Sequence, residues 1–241
     1  MGVFRFKRFE VRNELSAMKV NTDGVLLGAA ATLDISDRRI LDVGTGTGTI
    51  ALMLAQRYDD MVTAALPGIT GIDIDAPSAS EASDNFAGSP WADSLNCIHT
   101  SLQDMVPDDK FDLIVSNPPY FEKDLQASES RRNAARHGDS TLSYEDIIAF
   151  ASKNLSASGR LSLILPSDRR AELARTAAAY DLRPFRVLGV RTGASKPVTR
   201  SIIELSRTAV TAKEEELVMT EKGRNTFQYL SLVSDFYLFT D

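Results

Sequence analysis

The chain has 241 residues, 43% of them hydrophobic, and carries 33 acidic against 27 basic side chains. This length predicts a single domain with one sizeable core, and the acidic balance excludes a general attraction for polyanions, so any nucleic-acid surface must be local. Cys97 is the only cysteine, which excludes a disulfide within the chain. With no stretch typical of a signal peptide or membrane span, these features predict a soluble cytoplasmic protein.

Residues 1–38 do not follow the pattern of the rest of the chain. The run FRFKRFEV alternates apolar and charged residues, which is typical of a strand with one face in solvent. We therefore expect a small, half-exposed strand pair that forms an N-terminal cap.

From Arg39 onward, short β-rich runs alternate with helical patterns, which is typical of a parallel sheet covered by helices. The predicted strands are RILDV, ITGID, LNCIHT, FDLIVS, RLSLIL, FRVLGV and SIIEL. The predicted helices are TIALMLAQR, APSASEASDNF, YEDIIAFASKNL and DRRAELARTAAAY.

The last two predicted strands are joined by the turn-rich TGASKPVTR rather than by a helix, so they should pair as an antiparallel hairpin. The predicted fold class is therefore α/β, with a doubly wound, mostly parallel sheet of seven strands that ends in a hairpin. We expect a catalytic core at residues 39–207 and a C-terminal extension at 208–241, within one domain.

The first predicted strand leads into DVGTGTGTIALMLA, a glycine-rich turn followed at once by a helix. Gly44, Gly46 and Gly48 allow positive φ and close passage of the backbone past a ligand, and the helix start offers unpaired N–H groups. The pattern predicts a nucleotide-like ligand, with a ligand-free tight turn as the alternative. Thr49 stands where a dinucleotide fingerprint requires its third glycine, so NAD is disfavoured.

Acidic residues lie at or just beyond the ends of three predicted strands. Asp42 precedes the glycine loop, and its carboxylate is expected to point into the crevice at the carboxyl edge of the sheet. Asp73 is placed to accept both hydroxyls of a ribose, whereas Asp75 is expected to cap the next helix. Asp104 is a candidate acceptor for an adenine amino group. Each acid alone could be a loop residue or a helix cap, but their common position around one loop favours a ligand site.

The fourth predicted strand, FDLIVS, stops in NPPY. Pro118 and Pro119 fix φ and remove two donors, so the Asn117 amide oxygen and the Pro118 carbonyl are expected to point outward from a rigid corner. Tyr120 offers a flat face on which a base can stack. These parts suit a planar primary amine such as adenine N6, whose delocalised lone pair makes it a poor nucleophile. The alternative is a turn that only ends the strand.

Together, DVGTGTG, the acid in GIDID and NPPY resemble the class I S-adenosylmethionine-dependent methyltransferases that methylate amino groups, over about residues 39–207. Three further stretches, MKVNTDGVLLGAAA, ARHGDSTLSYEDI and GRNTFQYLSLVSDFYL, make nearly the whole chain similar to the bacterial valine-tRNA adenine-N6 methyltransferases. Those enzymes modify adenine 37, beside the anticodon.

The resemblance implies a catalytic loop and a cofactor site. The implied catalytic residues are Asn117, Pro118, Pro119 and Tyr120. Thr22 and Asp23, in NTDG, would lie over the methionine end of S-adenosylmethionine. The full set of candidate cofactor-binding residues is Thr22, Asp23, Asp42, Gly44, Gly46, Gly48, Asp73, Asp104 and Asn117.

Three local clusters of basic residues lie on the predicted substrate side of this acidic chain. Each alone is more often a solvated face, but together they favour phosphate contacts. The candidate RNA-binding residues are Arg5, Lys7, Arg8, Arg131, Arg132, Arg136, His137, Arg191, Lys196 and Arg200. No Cys/His spacing suggests a metal site.

These features predict an enzyme that moves a methyl group from S-adenosylmethionine to an adenine N6 in tRNA. Two alternatives stay open. One is methylation of a glutamine amide in a protein release factor, because that family also carries NPPY. The other is a catalytically inactive RNA-binding module of the same fold.

Overall fold

The computed structural model describes residues 2–16, 18–61, 65–119 and 142–238. The central sheet contains β3 (Arg39–Val43), β4 (Gly68–Asp73), β5 (Leu95–His99), β6 (Phe111–Ser116), β7 (Leu155–Pro166), β8 (Arg183–Arg191), β9 (Arg200–Ser206) and β10 (Lys213–Val218). Two small strand pairs are β1 (Val3–Arg5) with β2 (Glu10–Arg12), and β11 (Thr220–Glu221) with β12 (Arg224–Asn225). The helices among the described residues are α1 (Thr22–Ala30), α2 (Thr49–Met61), α3 (Ala76–Ala87), α4 (Tyr144–Asn154), α5 (Arg170–Ala179) and α6 (Phe227–Val233).

The predicted fold class is confirmed. The strand order is β10-β8-β9-β7-β6-β3-β4-β5, and β9 runs antiparallel to both of its neighbours while the other pairs are parallel. The predicted hairpin is β8–β9, and β10 adds an eighth strand from the C-terminal extension. The chain order reverses between β3 and β6, and such a switch point is where open α/β sheets bind ligands.

Side chains alternate between two hydrophobic clusters on opposite faces of the sheet. In β3, Ile40 packs in the cluster that contains α1 and α2, whereas Leu41 packs in the cluster that contains α4 and α5. The same alternation separates Leu113 from Ile114 in β6. Because successive residues of a strand point to opposite faces, each of these apolar runs forms a strand that is covered by helices on both faces of the sheet.

The predicted N-terminal strand pair is confirmed by antiparallel pairing of β1 with β2. Helix α1, which the sequence pattern did not indicate, is buried beside Ile50 in the main hydrophobic cluster. Glu204 of β9, with 0% exposure, accepts hydrogen bonds from the Thr32 N–H and Oγ1 at 2.7 Å each. Arg186 pairs with Glu204 at 2.8 Å and donates to the Ala30 carbonyl at 2.7 Å. These bonds fasten the end of α1 to the sheet.

None of the described helices is long and apolar enough to cross a membrane.

Candidate active site

The glycine loop follows β3 and has a backbone that side chains would disturb. Gly44, Gly46 and Gly48 have φ values of +67°, +56° and +79°, in the left-handed region that favours glycine. A Cβ at Gly48 would lie 2.4 Å from Cε1 of Phe86. Gly48, one residue of the predicted glycine pattern, therefore allows the loop to pack closely against Phe86 of α3.

Asp73, at the end of β4, holds the loop in place. Its Oδ2 accepts from the Gly46 N–H and its Oδ1 from the Asp75 N–H, both at 2.9 Å. Burial raises the pKa of this half-buried carboxyl, while the two N–H donors act in the opposite direction. Asp75 caps α3 by accepting from the Ser78 N–H at 3.0 Å, as predicted. Asp73 thus joins the loop to the next strand and still lines the cavity beside it.

A cavity of about 410 Å³ opens at the carboxyl edge of the sheet, a size typical of small-molecule sites. Gly44, Gly46 and Asp73 form one part of its wall, and Asn117 with Pro119 forms another. The remaining lining residues are Ser16, Met18, Val43, Ile72, Ile74, Asp75, Ser78, Thr100, Ser101, Leu102, Gln103 and Leu142. The glycine loop and the Asn117 corner, formed by residues 117–119, therefore border a single cavity.

Asn117 follows β6 and is only 7% exposed. Its Nδ2 lies 3.4 Å from Oδ1 of Asn21 and 3.7 Å from the sulfur of Met18. Pro118 is buried and Pro119 is exposed. The structure therefore places the Asn117 amide at the junction of the cavity, the start of α1 and the segment that precedes it.

The model of the family described as "Methyltransferase small domain" matches residues 16–174 of this chain. The chain belongs to the methyltransferase small domain family. Two curated relatives are named tRNA1(Val) (adenine(37)-N6)-methyltransferase. The one from Parabacteroides distasonis is 43% identical and covers 98% of this chain and 97% of that protein. The one from Photobacterium profundum is 39% identical and covers 98% of each.

Solved structures confirm the fold of this family member. A structure described as a predicted O-methyltransferase from Agrobacterium tumefaciens matches with a TM-score of 0.64 and 19% identity, covering 89% of this chain and 95% of that one. A ribosomal protein L11 methylase from Lactobacillus delbrueckii matches with a TM-score of 0.56 and 20% identity, covering 83% and 84%.

Asp42 does not point into the crevice of this methyltransferase-domain protein, contrary to expectation. It occupies the same face of β3 as Ile40, and its side chain, at 0% exposure, lies beneath the loop. There Oδ2 accepts from Thr45 Oγ1 at 2.7 Å. Burial raises the pKa of this carboxyl to about 7. Asp42 therefore supports the loop from below, because the alternation of the strand turns it toward α2.

Asp104 and the two residues from NTDG lie outside the lining of this cavity. Asp104 is exposed and bonds with Ser101 Oγ at 2.7 Å, while the cavity wall is formed by the residues just before it. Thr22 is exposed at the start of α1, and Asp23 pairs with Arg200 at 2.8 Å. Tyr120, predicted as the stacking residue, lies outside the described residues.

Glu81 of α3 is a site-supporting residue that the sequence pattern did not indicate. It is 2% exposed, and its carboxylate accepts from the N–H groups of Glu14, Leu15 and Ser16 at 2.6, 2.9 and 2.8 Å. Burial alone raises the pKa of Glu81, but these three donors outweigh it and hold the pKa below its usual range. Glu81 thereby fixes the segment that brings Ser16 and Met18 to the cavity wall.

All four of the predicted RNA-binding arginines that the structure describes are paired with acids. The pairs are Arg5 with Glu10 at 2.9 Å, Arg8 with Asp59 at 2.5 Å and Asp60 at 2.7 Å, Arg191 with Glu216 at 2.8 Å, and Arg200 with Asp23 at 2.8 Å. Lys7 and Lys196 are exposed. Arg131, Arg132, Arg136 and His137 lie outside the described residues.

Proposed function

We propose that this protein transfers a methyl group from S-adenosylmethionine to the exocyclic N6 of an adenine in tRNA, and that the target is adenine 37 of a valine tRNA. The observation that carries the proposal is the single cavity bordered by both the glycine loop and the Asn117 corner. Curated relatives with this activity in their names match nearly the full length of the chain. Since the target is tRNA, we place the protein in the cytoplasm.

The residues at the cavity fit S-adenosylmethionine. The Asp73 carboxylate is partly accessible and suits the hydroxyls of a ribose. Gly46 also lines the cavity, where a Cβ would lie 3.4 Å from Ser16 Oγ. Asp73, the glycine loop and the segment 100–103 would hold the nucleoside. When bound, S-adenosylmethionine supplies an electrophilic methyl group on a sulfonium.

Asn117 and Pro118 supply the acceptors for the amine. The Asn117 oxygen and the Pro118 carbonyl would each accept an N–H of adenine N6, holding the amine toward the cavity and stabilising the positive charge that develops on nitrogen. The alkylated nitrogen then loses its proton easily, so no strong base is needed. An amide this buried acts with little competition from water.

Two substitutions of Asn117 test this role. Asn117→Ala removes one acceptor, so the single-turnover rate with tRNA should fall far more than the affinity for cofactor or tRNA. Asn117→Asp keeps an acceptor and should retain a rate well above that of the alanine variant. A wild-type rate in folded, cofactor-binding Asn117→Ala would show that NPPY only ends the strand.

For RNA, we propose a contact at a groove of about 430 Å³ between the loop 192–196 and the hairpin that carries β11 and β12. The groove lies at the carboxyl ends of β8 and β10, the same edge as the cavity. Ala194 N–H donates to the Thr220 carbonyl at 3.0 Å, which joins the two segments. Lys196 and Lys222 line the groove and, within the described part of the chain, neither forms an ion pair, although Glu221 also lines it.

A charge-matched pair of double variants tests this groove. Lys196→Gln with Lys222→Gln should weaken tRNA binding and reduce its salt dependence, because each phosphate contact contributes to the salt slope. Lys213→Gln with Arg207→Gln removes the same charge at the opposite edge of the sheet and should leave both unchanged. Equal effects of the two double variants would place the RNA elsewhere.

A further inference from the structure

Asn21 is the N-cap of α1, and its own amide is oriented by backbone groups. Its Oδ1 accepts from the Gly24 N–H at 2.9 Å, and its Nδ2 donates to the Lys19 carbonyl at 3.0 Å. A backbone N–H only donates and a carbonyl only accepts, so the two ends of the Asn21 amide cannot be exchanged without losing both bonds.

This fixed amide faces the amide of Asn117. Oδ1 of Asn21 lies 3.4 Å from Nδ2 of Asn117. An oxygen acceptor can bond only to the NH₂ end of the Asn117 side chain. The Met18 sulfur, a weak acceptor, lies 3.7 Å from the same nitrogen. Two independent acceptors therefore select one of the two orientations that the nearly symmetric Asn117 amide could adopt.

We propose that Asn21 is a positioning residue that turns the Asn117 oxygen, rather than its NH₂ group, toward the amine of the substrate. This deepens the proposed function, which requires an acceptor at that position. With the Asn117 amide reversed, its NH₂ would face a substrate NH₂, and two oxygens would face each other at Asn21. Asn21 thus couples the start of α1 to the catalytic loop across 96 positions of sequence.

Two substitutions separate this role from helix capping. Serine is as good an N-cap as asparagine, so Asn21→Ser keeps a partner for the Gly24 N–H, but its shorter side chain cannot reach Asn117. Asn21→Asp keeps both the cap and an acceptor oxygen for Asn117. Asn21→Ser should lower the single-turnover rate roughly tenfold to hundredfold, the scale of a small misplacement of a catalytic group. Asn21→Asp should restore most of that loss.

Asn21→Ser should leave the helix cap intact and lower only the rate of the reaction. Its melting temperature and its affinity for S-adenosylhomocysteine should match wild type, so the loss appears in the rate alone. In an Asn117→Ala background, Asn21→Ser should have no further effect, because a positioning residue acts only through its partner. An unchanged rate in Asn21→Ser, or an equal loss in both backgrounds, would overturn the inference.

An activity-independent readout keeps this inference separate from the proposed function. In NMR spectra, the side-chain NH₂ signal of Asn117 can be identified by its loss in Asn117→Ala. This signal should shift in Asn21→Ser and stay close to its wild-type position in Asn21→Asp. A wild-type protein with no activity on tRNA would refute the proposed function, while these signals would still decide whether Asn21 orients Asn117. An Asn117 signal that does not move in Asn21→Ser would refute the positioning role.

Discussion

Substitution of Asp73 should affect both the stability of the glycine loop and the affinity for the cofactor. Asp73→Ala removes the acceptor of two N–H groups, Gly46 and Asp75, each at 2.9 Å. Gly46 is buried, so its N–H is left without that partner. A buried group that loses its partner costs roughly 1–3 kcal/mol, and we expect a loss of free energy of unfolding in this range.

The same change should weaken the binding of S-adenosylmethionine by roughly 1–3 kcal/mol, which is about 5- to 150-fold in Kd. The reason is that a ribose diol would lose a charged acceptor at the cavity wall. Calorimetric titration measures the affinity, and urea unfolding measures the stability.

Asp73→Asn is the matched control for this experiment. It keeps one oxygen for the Gly46 N–H but cannot accept from both hydroxyls of a diol, so stability should stay closer to wild type while affinity still falls. If folded Asp73→Ala bound the cofactor as tightly as wild type, Asp73 would have no part in the site.

Further substitutions test the glycine loop and the segment 14–16 that lies beside it. The folded-state pKa of Asp42 is raised to about 7, so its stabilising contribution is complete below about pH 4 and declines as the pH rises through 7. Asp42→Asn should therefore gain stability relative to wild type as the pH rises from about 4 to about 7 in urea unfolding, and a constant difference would contradict this. The pKa of Glu81 is lowered in the folded protein, so the stability that its carboxylate contributes is lost as the pH falls through its folded-state pKa. Glu81→Gln should therefore lose less stability than wild type on acidification. Parallel acid-unfolding curves would show that the Glu81 carboxylate does not stabilise the fold. Gly48→Ala should be less stable than Gly44→Ala by roughly 1–3 kcal/mol. A Cβ at position 48 would lie 2.4 Å from Phe86, whereas a Cβ at position 44 would lie 3.5 Å from Leu142. Equal melting temperatures of the two variants would refute the clash.

The sheet was predictable because its strands are short apolar runs separated by turn signals or by helices of clear periodicity. Helix α1 was not, because residues 24–30 are all buried and an all-round apolar helix shows no periodicity. Strand β10 was missed because it reads KEEELV, a charged sequence that becomes a strand by pairing with β8 at the edge of the sheet.

The site was predictable in part, for reasons of direction and distance along the chain. Strand ends indicated Asp73 and Asn117, which both line the cavity, but the side toward which Asp42 points depends on the register of its strand. The pairing of Arg200 with Asp23 joins residues 177 positions apart, so local charge could not reveal that this arginine is already paired. The role of Glu81 likewise depends on a segment 65 to 67 positions away.

The most direct test of the central claim is the identity of the methylated product. Unmodified valine tRNA and a release factor would each be incubated with the protein and S-adenosylmethionine carrying a labelled methyl group. The tRNA would be digested to nucleosides, and its anticodon-loop fragment examined separately. We predict label in N6-methyladenosine from position 37, none in the release factor, and much slower labelling of the tRNA by Asn117→Ala. Label on a glutamine amide, on another nucleoside, or on neither substrate with the wild-type protein would contradict the proposed function.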